Sequence, residues 1–270
     1  ELEFAAGSSV NVSTTGTGAI DLDGLGALTL SDVDTVNGAI TASSAGALTV
    51  TDVASGTNGN IVLSTSSGDI TGLATVNAGS GNVTLNSAGA IVDDGSSGTV
   101  ITGGVLTADA AGGITIDSTV TSANISTSAA GAVDLDETDA ITLTDVDTND
   151  GSITVDAGGL ITATDVVASG GSGDSVTLST TTGGAVATLV TGADAVSITA
   201  NAGDITIGSV TATAGTLGVT ATAGSINDAA DDNTADFTAG GLITLTAQDE
   251  IGVLGSGSDL DLEVAAGSSV

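Results

Sequence analysis

The chain contains no Lys, Arg or His, against 33 Asp and Glu, so its formal net charge is -33 over 270 residues. Affinity for nucleic acid or anionic lipid comes from cationic side chains that neutralise phosphates. Neither partner is expected. The same absence leaves no cleavage site for a trypsin-type protease. Cysteine is also missing, which rules out a disulfide framework and thiol chemistry and leaves the redox compartment open. Trp, Tyr and Met are absent, and Phe occurs twice, as Phe4 and Phe237. Aromatic rings normally dominate core burial, so the interior must be narrow and filled by small branched side chains in layers. No apolar run approaches the ~18 residues of a membrane span, because Gly, Ser, Thr and Asp interrupt every few positions. Membrane insertion is not expected. With no initiator Met and no secretory leader, the chain reads as a fragment of something longer.

Hydrophobic residues make up 40% of the chain, nearly all Ala, Val, Ile and Leu, and 41 residues are Gly. They are ordered by repetition. Ala27-Leu-Thr-Leu-Ser-Asp-Val-Asp-Thr leads through Asn37-Gly38 to Ala39-Ile-Thr-Ala and then Ala47-Leu-Thr-Val-Thr-Asp-Val. A near copy lies 113 positions on: Ala140-Ile-Thr-Leu-Thr-Asp-Val-Asp-Thr, Asp150-Gly151, Ser152-Ile-Thr-Val and Leu160-Ile-Thr-Ala-Thr-Asp-Val. Inside each copy, Asp32 recurs as Asp52 and Asp145 as Asp165, 20 residues later. A unit of about 20 residues holding two short alternating strands cannot bury its apolar face alone and must stack on its neighbours.

The spacing therefore predicts an all-β fold, a parallel β-helix or β-solenoid of roughly 12–13 coils of about 20 residues each. Strands such as Ile141-Thr142-Leu143 alternate apolar and polar residues, with the apolar face inward and hydroxyl or carboxylate outward. Gly and Asn punctuate the ends, as in Asn37-Gly38 and Asn58-Gly59. Asn-Gly also suits a hairpin turn, so tandem hairpins are the alternative; a 20-residue recurrence favours coils. The expected organisation is one continuous solenoid over 1–270, with near-copies 10–122 and 123–235. A longer period exists too. Glu1-Leu-Glu-Phe-Ala-Ala-Gly-Ser-Ser-Val10 returns as Asp261-Leu-Glu-Val-Ala-Ala-Gly-Ser-Ser-Val270, making the chain one 260-residue unit plus the start of the next.

Gly203-Asp-Ile-Thr-Ile, Gly240-Gly-Leu-Ile-Thr-Leu-Thr-Ala, Glu250-Ile-Gly-Val-Leu-Gly and Asp259-Leu-Asp-Leu-Glu-Val resemble the repeats of filamentous haemagglutinin-like adhesins and giant β-strand-repeat surface proteins of Gram-negative bacteria. The likeness is one of repeat grammar over essentially the whole chain. It implies a right-handed coil, export to the cell surface, and a role as stalk, adhesin or filament.

Chemistry, if any, rests on carboxylates. The pairs Asp21/Asp23, Asp32/Asp34, Asp134/Asp136 and Asp145/Asp147 flank Leu22, Val33, Leu135 and Val146, so each pair should face outward together. Asp32 should stack near Asp52, and Asp145 near Asp165, about one strand spacing apart. Two unit charges at that distance repel by about 0.9 kcal/mol in bulk water, more at lower dielectric. Calcium, which takes oxygen ligands, would turn this repulsion into attraction, and these ten Asp are the candidate metal ligands. The plainer reading is a solvated acidic stripe, and no calcium-loop motif accompanies the pairs. A second acidic group, Asp93-Asp94 with Asn227-Asp228 and Asp231-Asp232-Asn233, is expected in loops bulging from the coils, where solenoids place recognition residues. Outward hydroxyls such as Thr29, Thr49, Thr142 and Thr162 are explained by β propensity and hydrogen bonding to stacked neighbours. No enzyme is expected: the chain has no His, Lys, Arg, Cys or Tyr, and although a pair of carboxylates alone can hydrolyse a glycoside, its acid pairs recur periodically as structural features do.

These observations point to an extracellular structural protein, the shaft of a bacterial surface adhesin or a self-associating filament. Its expected partners are neighbouring copies or repeat units of itself. The alternative is a calcium-dependent module that binds cell-surface carbohydrate or another cell through its loops.

Overall fold

The structure, a computed structural model, describes residues 1–96, 98, 100–230 and 234–252. The expected strand at Asp259–Leu262, the terminal repeat 261–270 and Asp231-Asp232-Asn233 lie outside the described residues. Every described element is a strand, and every pairing described between strands is parallel. The turns pile into a β-solenoid of about 11 turns of about 21 residues each. Two compact units, Glu1–Asp136 and Glu137–Val270, divide the chain. The division falls after Asp136, inside the second near-copy.

In the first unit each turn contributes to three ladders. The first carries Ile20, Ile40, Ile61, Val83, Leu106 and Ala123 in register, at intervals of 20, 21, 22, 23 and 17 residues. Leu28, Leu48, Ile70, Ile91 and Ile114 form the second, and Val12, Val33, Val53, Val76 and Ile101 the third. From Leu28 and Val33 onward these residues are buried. Backbone bonds run from turn to turn, as in Ile20 N to Ala39 O (2.9 Å), Ile40 N to Asn60 O (2.9 Å) and Ile61 N to Asn82 O (2.9 Å). Aliphatic side chains thus sit on like side chains along each ladder, where burying one Leu or Ile contributes about 1.5–3 kcal/mol.

The second unit has the same plan. Ile153, Val176, Val196, Leu217 and Ile243 form one ladder, Ile161, Ala185, Ile205 and Ile226 another, and Val146, Val166, Val190, Val210 and Phe237 the third. Leu143 is buried and Thr142 lies toward solvent, as the alternation predicts. Phe237, fully buried, is the one aromatic ring in this core.

Three findings correct the sequence reading. The coil count is about 11, because loops inserted at the corners lengthen many turns beyond 20 residues. Each turn holds three strand segments, since the third ladder offers a single inward Val followed by Asp, Ala or Thr, too short for alternation to register. The hydroxyls also divide. Many hydroxyls within strands face out, but Thr35, Ser44, Ser55, Thr65, Ser87, Thr127, Thr148 and Thr180, at or near the strand ends that lead into corners, are buried. There they donate to carbonyls of the turn: Thr35 Oγ1 to Gly38 O (2.7 Å), Ser44 Oγ to Gly26 O (2.6 Å), Thr65 Oγ1 to Gly68 O (2.9 Å) and Ser87 Oγ to Ala90 O (2.9 Å). A buried carbonyl left without such a donor costs about 1–3 kcal/mol, so these hydroxyls are what lets the backbone bend inside a dry core.

Asparagines serve the outer turns likewise. Asn37 Oδ1 accepts from Asn58 N (3.0 Å) and Asn60 Oδ1 from Asn82 N (2.9 Å), tying each loop to the next turn. Gly56 needs its left-handed φ of 71°, and a Cβ there would fall 1.8 Å from Val36 O, so no larger residue fits.

Leu63→Ala is expected to lower unfolding free energy by about 2–5 kcal/mol, and Ser44→Ala by about 1–3 kcal/mol. Thr41→Ala, on the solvent side of the strand beside Ala42, should change it by less than about 0.5 kcal/mol. Urea denaturation followed by circular dichroism checks all three; equal losses at Leu63 and Thr41 would contradict the assigned faces.

Candidate functional site

Nine of the ten candidate metal residues lie on strands that the ladders align, and Asp165 lies in the bend just before Val166–Ala168; Leu22, Val33, Leu135 and Val146 are buried between their pairs. Their fates differ with what the neighbouring turn presents. Asp32 and Asp34 belong to Leu28–Thr35, and the register Val33 to Val53 sets Asp32 beside Asp52 of the next turn. On its other side Asp32 Oδ2 accepts from Asn11 Nδ2 (2.8 Å). The equivalent trio recurs in the second unit. There Val146 pairs with Val166, which sets Asp145 beside Asp165, and Asp147 lies opposite Val167.

These clusters repel internally, and their carboxyls respond. Asp147 is pushed up to about 6, first by burial, then by the charges of Asp145 and Asp165 and a hydrogen bond with Asp145. Asp34 is raised by burial, by a hydrogen bond with Asp32 and by the charges of Asp32 and Asp52, while Asp52 is raised by burial and Asp32. Holding a proton in one member relieves the repulsion among the three. Asp165 Oδ1 is buried and has no hydrogen-bond partner.

The remaining pairs meet different neighbours. Asp21 and Asp23 lie opposite Thr41 and Ser43, and Ser43 Oγ donates to Asp23. Below them, Glu3 pairs with Asp23. Asp134 and Asp136, both exposed, gather with Asp93 and Asp94 around Asp117, whose carboxyl is raised by burial and then by Asp93, Asp136, Asp134 and Asp94. Asp117 was not legible as a site residue, because neither Asp134 nor Asp136 stands at the 20-residue period from it.

The loop expectation holds in part. Asp93 closes the strand Ile91–Asp93 and Asp94 follows it, bound by Ser96 Oγ (2.6 Å) and Ser96 N (2.9 Å), which lowers its carboxyl. Asn227 and Asp228 lie within the strand Ile226–Asp228, not in a bulging loop. Asp228 occupies the inward position that Ile207 holds one turn earlier and is 4% exposed; Oδ1 accepts from Ala230 N (2.9 Å) and Oδ2 is buried without a partner. Pattern reading assigns outward positions to carboxylates, so this core Asp escaped it.

Among the described residues no three carboxylates converge as a group able to hold a metal ion. The acidic groups are spread along the ladders, and a surface depression beside them is lined by Asp23, Leu25, Ser43 and Ser64. No described helix is long and apolar enough to cross a membrane. Such a surface can carry charge, take up protons and present hydroxyls, some of them bound to its acids, as Ser43 is to Asp23 and Ser96 to Asp94.

No protein-family model, curated protein or solved structure matches this chain.

A carboxyl whose folded pKa exceeds its unfolded value of 3.8 stabilises the fold fully below that value, and the contribution is lost as pH rises through about 6. The melting temperature is therefore expected to fall between pH 4 and pH 7. Asp147→Asn should remove part of that fall and melt higher than the parent at pH 7, with the two converging near pH 4. Parallel melting curves for the two proteins would show that Asp147 is not the group responsible.

Proposed function

We propose that this chain is a length of shaft in an extracellular surface structure, of the bacterial adhesin or self-associating filament kind that its repeats resemble, wound with the right-handed sense of that family. The observation that carries the reading is the continuity of the ladders. Within each unit, turns are joined by three rows of backbone hydrogen bonds over aliphatic side chains that match in register. Load along such a stack is shared by many bonds, and a turn can leave only from an end. The acidic surface keeps the shafts soluble and apart, and the absence of Lys and Arg removes the commonest protease sites. Partners, in this reading, are further repeat units or further copies of the chain.

Calcium-dependent recognition of cell-surface glycans is the second reading, favoured by one observation, the buried and unpartnered Asp165 Oδ1 beside Asp145 and Asp147. If the stripe is only screened, millimolar calcium should raise the melting temperature no more than sodium chloride of equal ionic strength. A larger rise with calcium, abolished by Asp165→Asn, would support the second reading instead.

Pulling single molecules by their termini tests the shaft directly. Stepwise unwinding is expected, each step releasing one turn of about 21 residues, or about 70 Å of extended chain. Loss of the whole fold in one event at low force would contradict it.

A further inference from the structure

The chain holds two Asn-Gly pairs, Asn37-Gly38 and Asn58-Gly59. Both sit at the corner that leads from the third ladder back to the first, one turn apart. In each the Asn is exposed and the Gly buried, so access to solvent does not separate them. Hydrogen bonding does. Gly38 N donates to Thr35 Oγ1 (3.0 Å), a buried hydroxyl that itself donates to Gly38 O (2.7 Å). Asn37 Oδ1 accepts from Asn58 N (3.0 Å). In the second pair Ser55 Oγ donates to Gly59 O, but neither Gly59 N nor the Asn58 side chain has a hydrogen-bond partner among the described residues. The cause is corner length. Thr35 stands three positions before Gly38 and Ser55 four before Gly59, and the longer corner keeps the bond to the carbonyl while losing the one to the nitrogen.

We propose that Asn58-Gly59 is a site of spontaneous covalent modification in the folded chain, and that Asn37-Gly38 is its protected copy one turn away. Gly has no side chain to obstruct the approach of its nitrogen to the preceding side chain. Gly59 N bonds to Asn58 Cγ, the side-chain nitrogen leaves as ammonia with the displaced Gly59 proton, and a succinimide closes. Water then opens the ring. Cleavage at Cγ leaves Asp, and cleavage at the Asn58 carbonyl carbon leaves isoaspartate, with the chain running through the side chain. Water is the only co-reactant, and nothing is oxidised or reduced. At Gly38 the same attack must first break the bond from Gly38 N to a buried hydroxyl and turn the Asn37 amide away from Asn58 N, which costs free energy that Gly59 does not spend. Either product adds one negative charge. Corners of this kind accept one, since Asp150 stands at the place of Asn37 in the near copy, with Thr148 Oγ1 bound to Gly151 O as Thr35 Oγ1 is to Gly38 O.

Ageing the full chain in mildly alkaline buffer, with and without urea, tests this. The chain has no Lys or Arg, so peptides are made with pepsin, and mass spectrometry reads the exchange of amide for acid at each Asn. In the folded chain Asn58 is expected to convert several-fold faster than Asn37, and in urea the two should convert at similar rates. Thr35→Ala, which frees Gly38 N, should speed Asn37 several-fold in the folded chain, whereas Thr35→Ser, which keeps the hydroxyl, should not. Equal rates in the folded parent, a faster Asn37, no conversion of folded Asn58 while the urea sample converts, or a ratio that urea leaves unchanged would each overturn the inference. An unaltered Asn37 rate in folded Thr35→Ala would overturn it too. Should Thr35→Ala not fold, the parent chain with and without urea decides alone.

Discussion

A turn of about 21 residues with a few inward aliphatic side chains cannot exclude water, and its backbone bonds point along the stack and not within the turn. Everything in this fold depends on the next turn arriving in register. A slip of one residue would move every Ile, Leu and Val of a ladder to the solvent face and every Thr and Asp into the core. The chain prevents this by near-identity of successive turns, so that Ile40 meets Ile20 and Ile61, and Leu48 meets Leu28 and Ile70.

Stacking in register has a cost where the repeated residue is charged. Asp32 above Asp52 and Asp145 above Asp165 are produced by the same rule that aligns the aliphatics. Water on the outer face screens most of the repulsion, and protonation of Asp34 or Asp147 relieves more of it. Elsewhere the repeat is broken to advantage, since Asp21 and Asp23 meet Thr41 and Ser43 and a hydroxyl replaces a second charge. The corners solve a different problem. Bending the chain inside a narrow core turns carbonyls away from the ladders, and a short hydroxyl side chain at the end of the strand reaches back to bind them.

The acids of this fold are distributed at the pitch of the turns, and the sequence places no Lys, Arg or His beside them. Cohesion along the stack and an acidic coat are what the described turns supply.

Sequence alone determined the class of fold and the direction of most side chains. Period-2 alternation within strands and a period of about 20 residues between them leave few arrangements other than parallel stacking, and the Val between paired Asp had to face inward. Tertiary structure decided what depends on the length of each turn. Corner loops vary it from the 17 residues between Leu106 and Ala123 to the 27 between Val210 and Phe237, so the number of turns and the third ladder were hidden from a fixed period. Asp117 came to lie among Asp93, Asp94, Asp134 and Asp136, and the ladder register carried Asp228 into the core. A local pattern reports which way a residue points relative to its own strand; which residue it meets is set by how many residues the chain uses to come round again.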